Sequence, residues 1–270
     1  MGQLERLLTA ITVFLIFVYV VLRAVYVPTF HDEAATFVHY VVTGNFLPFQ
    51  AHWDANNHIL NSAFSYFCYK VFGAEQWSIR LPNVLSFLIY GFFSFKIAGQ
   101  ISRKSIRWFL FIALLTTTFL IEFFSLARGY AMSIAFMMAA VYYVAQYFRI
   151  GSIKSQLLVW FWMCLSVGAS LTLLNSYLII LGLVFLVAIQ HENRAKHLLV
   201  WLFVGGFIFA AAAFYAFELK ERGLLYTGRA EGFIVVTVRS LVRYQLGVES
   251  QPVSILLTMV GAVSALYLTV

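Results

Sequence analysis

Apolar runs long enough to cross a bilayer recur along this chain, separated by short basic turns, and this alternation limits the folds open to it. Leu7 to Val27 is the first run, with Arg6 before it, Arg23 near its far end and Pro28 closing it. It is longer than the roughly 7–15-residue core of a cleaved signal peptide and lacks an Ala-x-Ala site, so it reads as a retained anchor. Further runs follow at about Asn83–Ile101, Trp108–Phe119, Ala131–Phe148, Leu157–Leu173, Tyr177–Ile189 and Leu198–Phe217, with a hinge at Asn175-Ser176. An eighth begins after Pro252 and is still apolar at Val270. The residue inventory agrees: 62% hydrophobic and 11% charged, against roughly 25% charged in an ordinary soluble domain. The expected fold is therefore an all-α polytopic membrane protein of about eight transmembrane helices, a single transmembrane domain over 1–270.

Arg6 and the turns carrying Arg103/Lys104/Arg107, Arg149/Lys154 and Arg194/Lys196 fall on one side by alternation, which the positive-inside rule makes cytoplasmic. The loops at 28–82, 120–130, 174–176 and 218–252 then share the external face. The formal charge of +7 is spread over the short turns, where it suits lipid headgroups or phosphates and gives no sign of nucleic-acid binding. Cys68 and Cys164 lie in apolar surroundings without metal-binding spacing.

The external loop 28–82 holds four of the six histidines and four of the eleven acidic residues. Two short amphipathic helices are expected in it. One runs from Asp32 to about Thr43, stopped by Gly44. The other runs from Asn57 to Phe72, stopped by Gly73, with Leu60, Phe64, Phe67 and Val71 on the face laid against the membrane. Pro82 suits the first turn of the next span.

Asp32 and Glu33 can be read as carboxylates complementing a helix N-terminus, or as a base held beside the membrane; the two readings are compatible. His31, His52, Asp54 and His58 could assemble a divalent-metal site, but no HExxH-like spacing is present, and His58 reads better as a hydrogen-bond donor to phosphate or sugar. Glu122 and Arg128 flank a re-entry into the membrane, either as a mutual ion pair or with Arg128 as a phosphate clamp. Arg239 and Arg243, four apart, would share one face of an amphipathic surface helix that meets an anionic lipid head.

An Asp-Glu pair after the first span, the Asn56-Asn57-His58 element, Arg80-Leu81-Pro82 and Ala127-Arg128-Gly129-Tyr130 occur here in order and on one face. From Arg6 to about Tyr244 the chain resembles the GT-C class of membrane glycosyltransferases, the group of protein O-mannosyltransferases and the lipid A aminoarabinose transferase. The resemblance implies that Asp32 is the catalytic base and Glu33 its neighbour shaping the acceptor site. Asp54, Asn57, His58, Arg128, Tyr130, Arg239 and Arg243 form the candidate substrate-binding set. It also implies a polyprenyl-phosphate sugar donor, a lipid, glycan or protein acceptor, inversion at the anomeric carbon, no cofactor and no resident metal. The location implied is a bacterial inner membrane with a periplasmic catalytic loop. Two departures stand out. Asn57-His58-Ile59 replaces the lysine-proline element of some relatives, and relatives are substantially longer. Because the last apolar run meets no closing basic turn, these 270 residues are expected to be the N-terminal part of a longer protein. The competing classes are a transporter or lipid-binding scaffold, whose site would lie near the midplane, and a metal-dependent hydrolase, which a chelator would inactivate.

Overall fold

The computed structural model describes residues 3–225, together with Arg243, Pro252, Val253, Ile255, Leu256 and Met259. Among the described residues there are helices and no strand. Helix α1 spans Gln3–Tyr26, α2 His31–Thr36, α3 Ile59–Phe72, α4 Gln76–Ala98, α5 Lys104–Leu115 and α6 Thr118–Phe124. They are followed by α7 Gly129–Ile150, α8 Ile153–Ala169, α9 Leu174–Gln190, α10 Arg194–Val200 and α11 Phe207–Glu221. Five helical segments are long and apolar enough to cross a membrane, or six if α5 and α6, bent by 51°, form one broken span. A shorter apolar helix, α8, has 17 residues. Arg239 and most of the expected eighth run lie outside the described residues. Contacts divide the chain into a compact unit of Met1–Thr116 with Leu120–Leu225 and a second unit that includes Thr117–Phe119 and Arg243.

Helix α7 is the spine, packed along α4 on one side and α8 on the other. Ala131, Ala135, Ala139 and Ala140 on it are fully buried. Small side chains let helix backbones approach closely where apolar solvent gives no hydrophobic drive to association. One core cluster joins α1, α4, α5, α6 and α7 around Phe87, Leu115 and Phe124. The other joins α7, α8 and α9 around Trp160, Met163 and Tyr177. Trp160 stacks on Tyr177 and lies against Gly205, where a Cβ would come within 2.6 Å of its ring. Only a glycine leaves room for that indole.

Helix α3 is amphipathic, with its polar side turned inward. Phe64, Phe67 and Val71 are exposed, while Asn61, Ser62 and Ser65 are fully buried. Such a helix is stable only where its outer solvent is apolar and its polar groups find partners inside. The expected apolar face is present, except that Leu60 packs inward beside Met132 and Phe136.

Three boundaries differ from the sequence reading. Pro82 is not in the first turn of α4, which starts six residues earlier at Gln76. The ring costs an internal hydrogen bond, and Ser65 Oγ from α3 donates to the neighbouring Ile79 carbonyl at 2.8 Å. The hinge between α8 and α9 is at Ser170, whose backbone is extended, and Asn175-Ser176 lies inside α9. Finally, the first loop helix widens into a π-helical stretch at Phe37–Val41 after α2.

The basic turns gather at one end of the bundle. Glu5 of α1 reaches Lys104 at 3.5 Å and Arg107 at 4.0 Å. Gly151 lies against His191, joining the next two turns. At the other end, loop 28–82 meets the 125–128 loop and the α8–α9 break. Arg222, just past α11, stacks on Trp53 at 3.8 Å.

Candidate functional site

The adjacent carboxylates Asp32 and Glu33 have opposite fates. The first turn of α2 directs Glu33 inward, where it is 1% exposed, and leaves Asp32 at the surface with a side chain 59% exposed. Glu33 Oε1 accepts from Arg80 Nε at 2.8 Å and from the Ala127 amide at 2.6 Å. Glu33 Oε2 accepts from Arg80 Nη2 at 2.6 Å and from the Phe30 amide at 3.1 Å. Arg80, also fully buried, spends its other donors on three carbonyls: Ala24 at 3.1 Å, Val27 at 2.7 Å and Pro28 at 3.1 Å. A guanidinium has five N–H groups, and all five are satisfied. Ala24 is in the last turn of α1 and Val27 and Pro28 follow it, so Arg80 also closes that helix end, where a cation is favoured.

This ion pair binds α1, α2, α4 and the 125–128 loop into one support. Glu33 also borders the cavity lined by Asp32 and Arg128, with both carboxylate oxygens already engaged by Arg80 and the Ala127 and Phe30 amides. The sequence contained one clue to Arg80: a lone arginine at the edge of an apolar run is expensive and needs a partner.

Asp32 turns toward Arg128. Its Oδ2 lies 3.3 Å from Arg128 Nη1, and its Oδ1 lies 3.6 Å from His31 Nδ1. Arg128 is 6% exposed at the side chain, so the pair is one buried cation against one exposed carboxylate. Nη2 of Arg128 donates to Asn56 Oδ1 at 3.1 Å and Tyr130 Oη at 3.3 Å, and the guanidinium lies over the Tyr130 ring. Nη1 is buried and has no hydrogen-bond acceptor of good geometry. Asp32, Glu33, Arg128 and Tyr130, together with Phe30, Phe123 and Leu126, line a cavity of about 310 Å³. Glu122 does not pair with Arg128; it lies 3.8 Å from Arg23, which also donates to Ser125 at 3.3 Å.

Neighbouring asparagines also exchange their expected places. Asn56 touches Arg128, whereas Asn57 is 4% exposed, donates to the Phe46 carbonyl at 3.1 Å and accepts from Ser62 at 3.4 Å. Asp54 accepts the Asn56 amide at 2.8 Å, shaping the turn that presents Asn56, and does not line the cavity. Arg243 is helical and exposed and belongs to the second unit.

His58 is buried edge-on to Tyr130, with ring centroids 4.6 Å apart. Burial, reinforced by the Arg128 charge and only partly offset by a hydrogen bond to the Ala169 backbone, lowers its pKa to about 3. The ring is therefore neutral. Its Nε2 is buried without a hydrogen-bond partner. The ring packs against Tyr130 and does not itself line the cavity of Asp32 and Arg128. Below it, Asn61 donates to the Ala127 carbonyl at 3.2 Å and accepts from Asn83, holding the 125–128 loop on α3 and α4. Sequence reading missed Asn61 and Asn83, although buried amides in apolar helices are themselves a signal.

No group of three or more His, Cys, Asp or Glu converges at metal-binding distance among the described residues. His52 stacks on His39 at 4.4 Å, away from His58.

Gly129 makes the site possible. A Cβ there would fall inside the Ala169 carbonyl oxygen and within 2.8 Å of His58 Cβ. Gly129→Ala is therefore expected to cost at least about 1–3 kcal/mol, as overpacking against backbone does. Gly182→Ala, with nothing within 4 Å of the new atom, should be neutral or slightly stabilising. Thermal melts in detergent compare the two, and equal melting points would remove the close-packing argument.

No family model matches the chain, and no curated protein or solved structure matches it.

Proposed function

We propose that the protein is a membrane glycosyltransferase that moves a sugar from a polyprenyl phosphate to an acceptor hydroxyl or amine on the external face, inverting the anomeric carbon. The observation that carries this reading is the Asp32–Arg128 pair at the cavity of Phe30, Phe123, Leu126 and Tyr130: an exposed carboxylate 3.3 Å from a buried guanidinium with an unused donor. In the transfer, Asp32 takes the proton of the acceptor as its oxygen or nitrogen bonds to the anomeric carbon. The bond from that carbon to the phosphate oxygen breaks on the opposite side, and the electron pair leaves with the polyprenyl phosphate. Arg128 Nη1 receives the developing charge, steadied by Tyr130. Phosphate leaves without protonation, so one carboxylate base and one cation suffice, unlike hydrolysis of a glycosidic bond with its two carboxyl groups. A cavity of about 310 Å³ is at the small end of ligand sites, suited to one sugar and its phosphate.

The test is incubation of membranes containing the full chain with a panel of labelled polyprenyl-phosphate sugars. Label should pass from one donor into a lipid, glycan or protein fraction. A panel in which no donor yields Arg128-dependent transfer would overturn the reading, and saturable movement of an intact solute across the membrane would favour a transporter.

The external placement of the site has its own test. In a background with Cys68 and Cys164 replaced by alanine, Gln50→Cys should react with a membrane-impermeant maleimide in intact cells. Ser105→Cys, in the basic turn, should react only after permeabilisation. Both positions are exposed, so accessibility reports sidedness. The opposite pattern would put the cavity on the cytoplasmic face.

A further inference from the structure

At the basic end of the bundle, remote from Asp32, helices α1, α4 and α7 leave a groove of about 940 Å³ between them. Its floor is a close approach of α1 to α4, where a Cβ on Gly91 would meet Val13 at 3.1 Å. Its lining is graded along its length. Phe14 and Phe17 of α1 and Leu88 and Phe92 of α4 supply an apolar channel. Arg6, Lys96 and Arg149, one from near an end of each helix, supply three cations at one end. At a rise of about 1.5 Å per residue, Arg6 and Phe17 are roughly 16 Å apart along α1, a large part of an acyl chain's reach into one leaflet.

Three features say what this groove is built to hold. First, none of the three cations has a carboxylate within 4 Å among the described residues. Glu5, the acid adjacent in sequence to Arg6, turns instead to Lys104 and Arg107. Second, Gln100 lines the same end, and its Nε2 is buried with no acceptor. Third, Lys96 Nζ lies 5.5 Å from the Phe92 ring centroid, at the point where charged and apolar linings meet. Converging cations and an unused amide donor require an anion with several acceptor oxygens, and the adjoining channel requires that the anion carry a hydrocarbon chain.

We infer that the groove between α1, α4 and α7 binds one anionic phospholipid from the leaflet on the basic side, its phosphate held by Arg6, Lys96 and Arg149 and one chain lying along Phe14, Phe17 and Phe92. The proposal does not depend on the chemistry assigned to Asp32. It differs from general attraction of basic turns to a charged surface, because the chain and the phosphate are both held and the site takes a single molecule.

Native mass spectrometry of the full chain in detergent tests it, with phosphatidylglycerol, phosphatidylcholine and inorganic phosphate as probes. The wild type should retain one phosphatidylglycerol in preference to phosphatidylcholine, and millimolar phosphate should not displace it. Lys96→Gln with Arg149→Gln should weaken phosphatidylglycerol binding about 30-fold, since each basic residue near a charged headgroup contributes a similar increment. Lys96→Arg should keep it. Leu88→Trp, which narrows the channel and leaves every cation in place, should also weaken binding. All three substituted side chains, Leu88, Lys96 and Arg149, are exposed, and melting curves without lipid should overlay the wild type. Equal retention of the two lipids, displacement by free phosphate, or undiminished binding in the double variant would overturn the proposal. An unaffected Leu88→Trp variant would reduce it to surface headgroup contact and overturn the groove.

Discussion

Replacing Arg80 with methionine is expected to destabilise the protein by about 3–5 kcal/mol, the usual consequence of leaving one member of a buried ion pair without its partner. Glu33, its side chain fully buried, would be left without its cation. The carbonyls of Ala24, Val27 and Pro28 would lose their donor at the same time. Set against the roughly 5–15 kcal/mol that holds most proteins folded, a loss of that size should remove much of the correctly inserted material. The decisive comparison is a cycle. Glu33→Gln with Arg80→Met should be less damaging than Arg80→Met alone, because the second change removes the stranded charge. Detergent melting curves and the yield of folded protein read the outcome. If Arg80→Met melted with the wild type, the pair would not be the support described above.

One residue earlier, the same kind of substitution should act on rate and leave the fold alone. Asp32→Asn is expected to lower transfer by about 10²–10⁴, the range typical for loss of a general base. Asp32 has an exposed side chain, and exposed ion pairs contribute at most about 1 kcal/mol, so its melting point should hardly move. Donor affinity should be largely kept, because Arg128 retains Asn56 and Tyr130. Normal turnover by the Asn variant would leave Asp32 as a helix-end carboxylate and the proposed transferase chemistry without its base. The contrast between the two neighbours is itself informative: one position should fail by melting and the other by turnover.

The sequence by itself determined that the outer solvent of this chain is apolar, because repeated runs such as Leu7–Val27 have no other means of hiding their side chains. It also placed most helices to within a few residues, since apolar periodicity and the glycines at 44 and 73 are local signals read within a turn or two. Convergence of loops 28–82 and 120–130 followed from alternation of the runs.

What alternation could not reach is the direction of each polar side chain. Asp32 and Glu33, or Asn56 and Asn57, are equivalent to a reading by composition. Successive residues differ by about 100° around a helix or lie on opposite sides of a turn, so one goes in and the other stays out, depending on what the rest of the chain offers there. Glu33 goes in because Arg80, 47 positions away, and the Ala127 amide, 94 positions away, wait for it. Arg128 meets Asp32 and not Glu122 for the same reason: Arg23 from α1 has already come alongside Glu122. His58, an apparently exposed loop histidine by sequence, is buried edge-on to Tyr130. Helices are local and the solvent is a bulk property, so both are written in short stretches of sequence. The pairing of charges in a low-dielectric interior is settled by which distant segments the fold brings within about 3 Å of each other, and only the packed tertiary structure decides that.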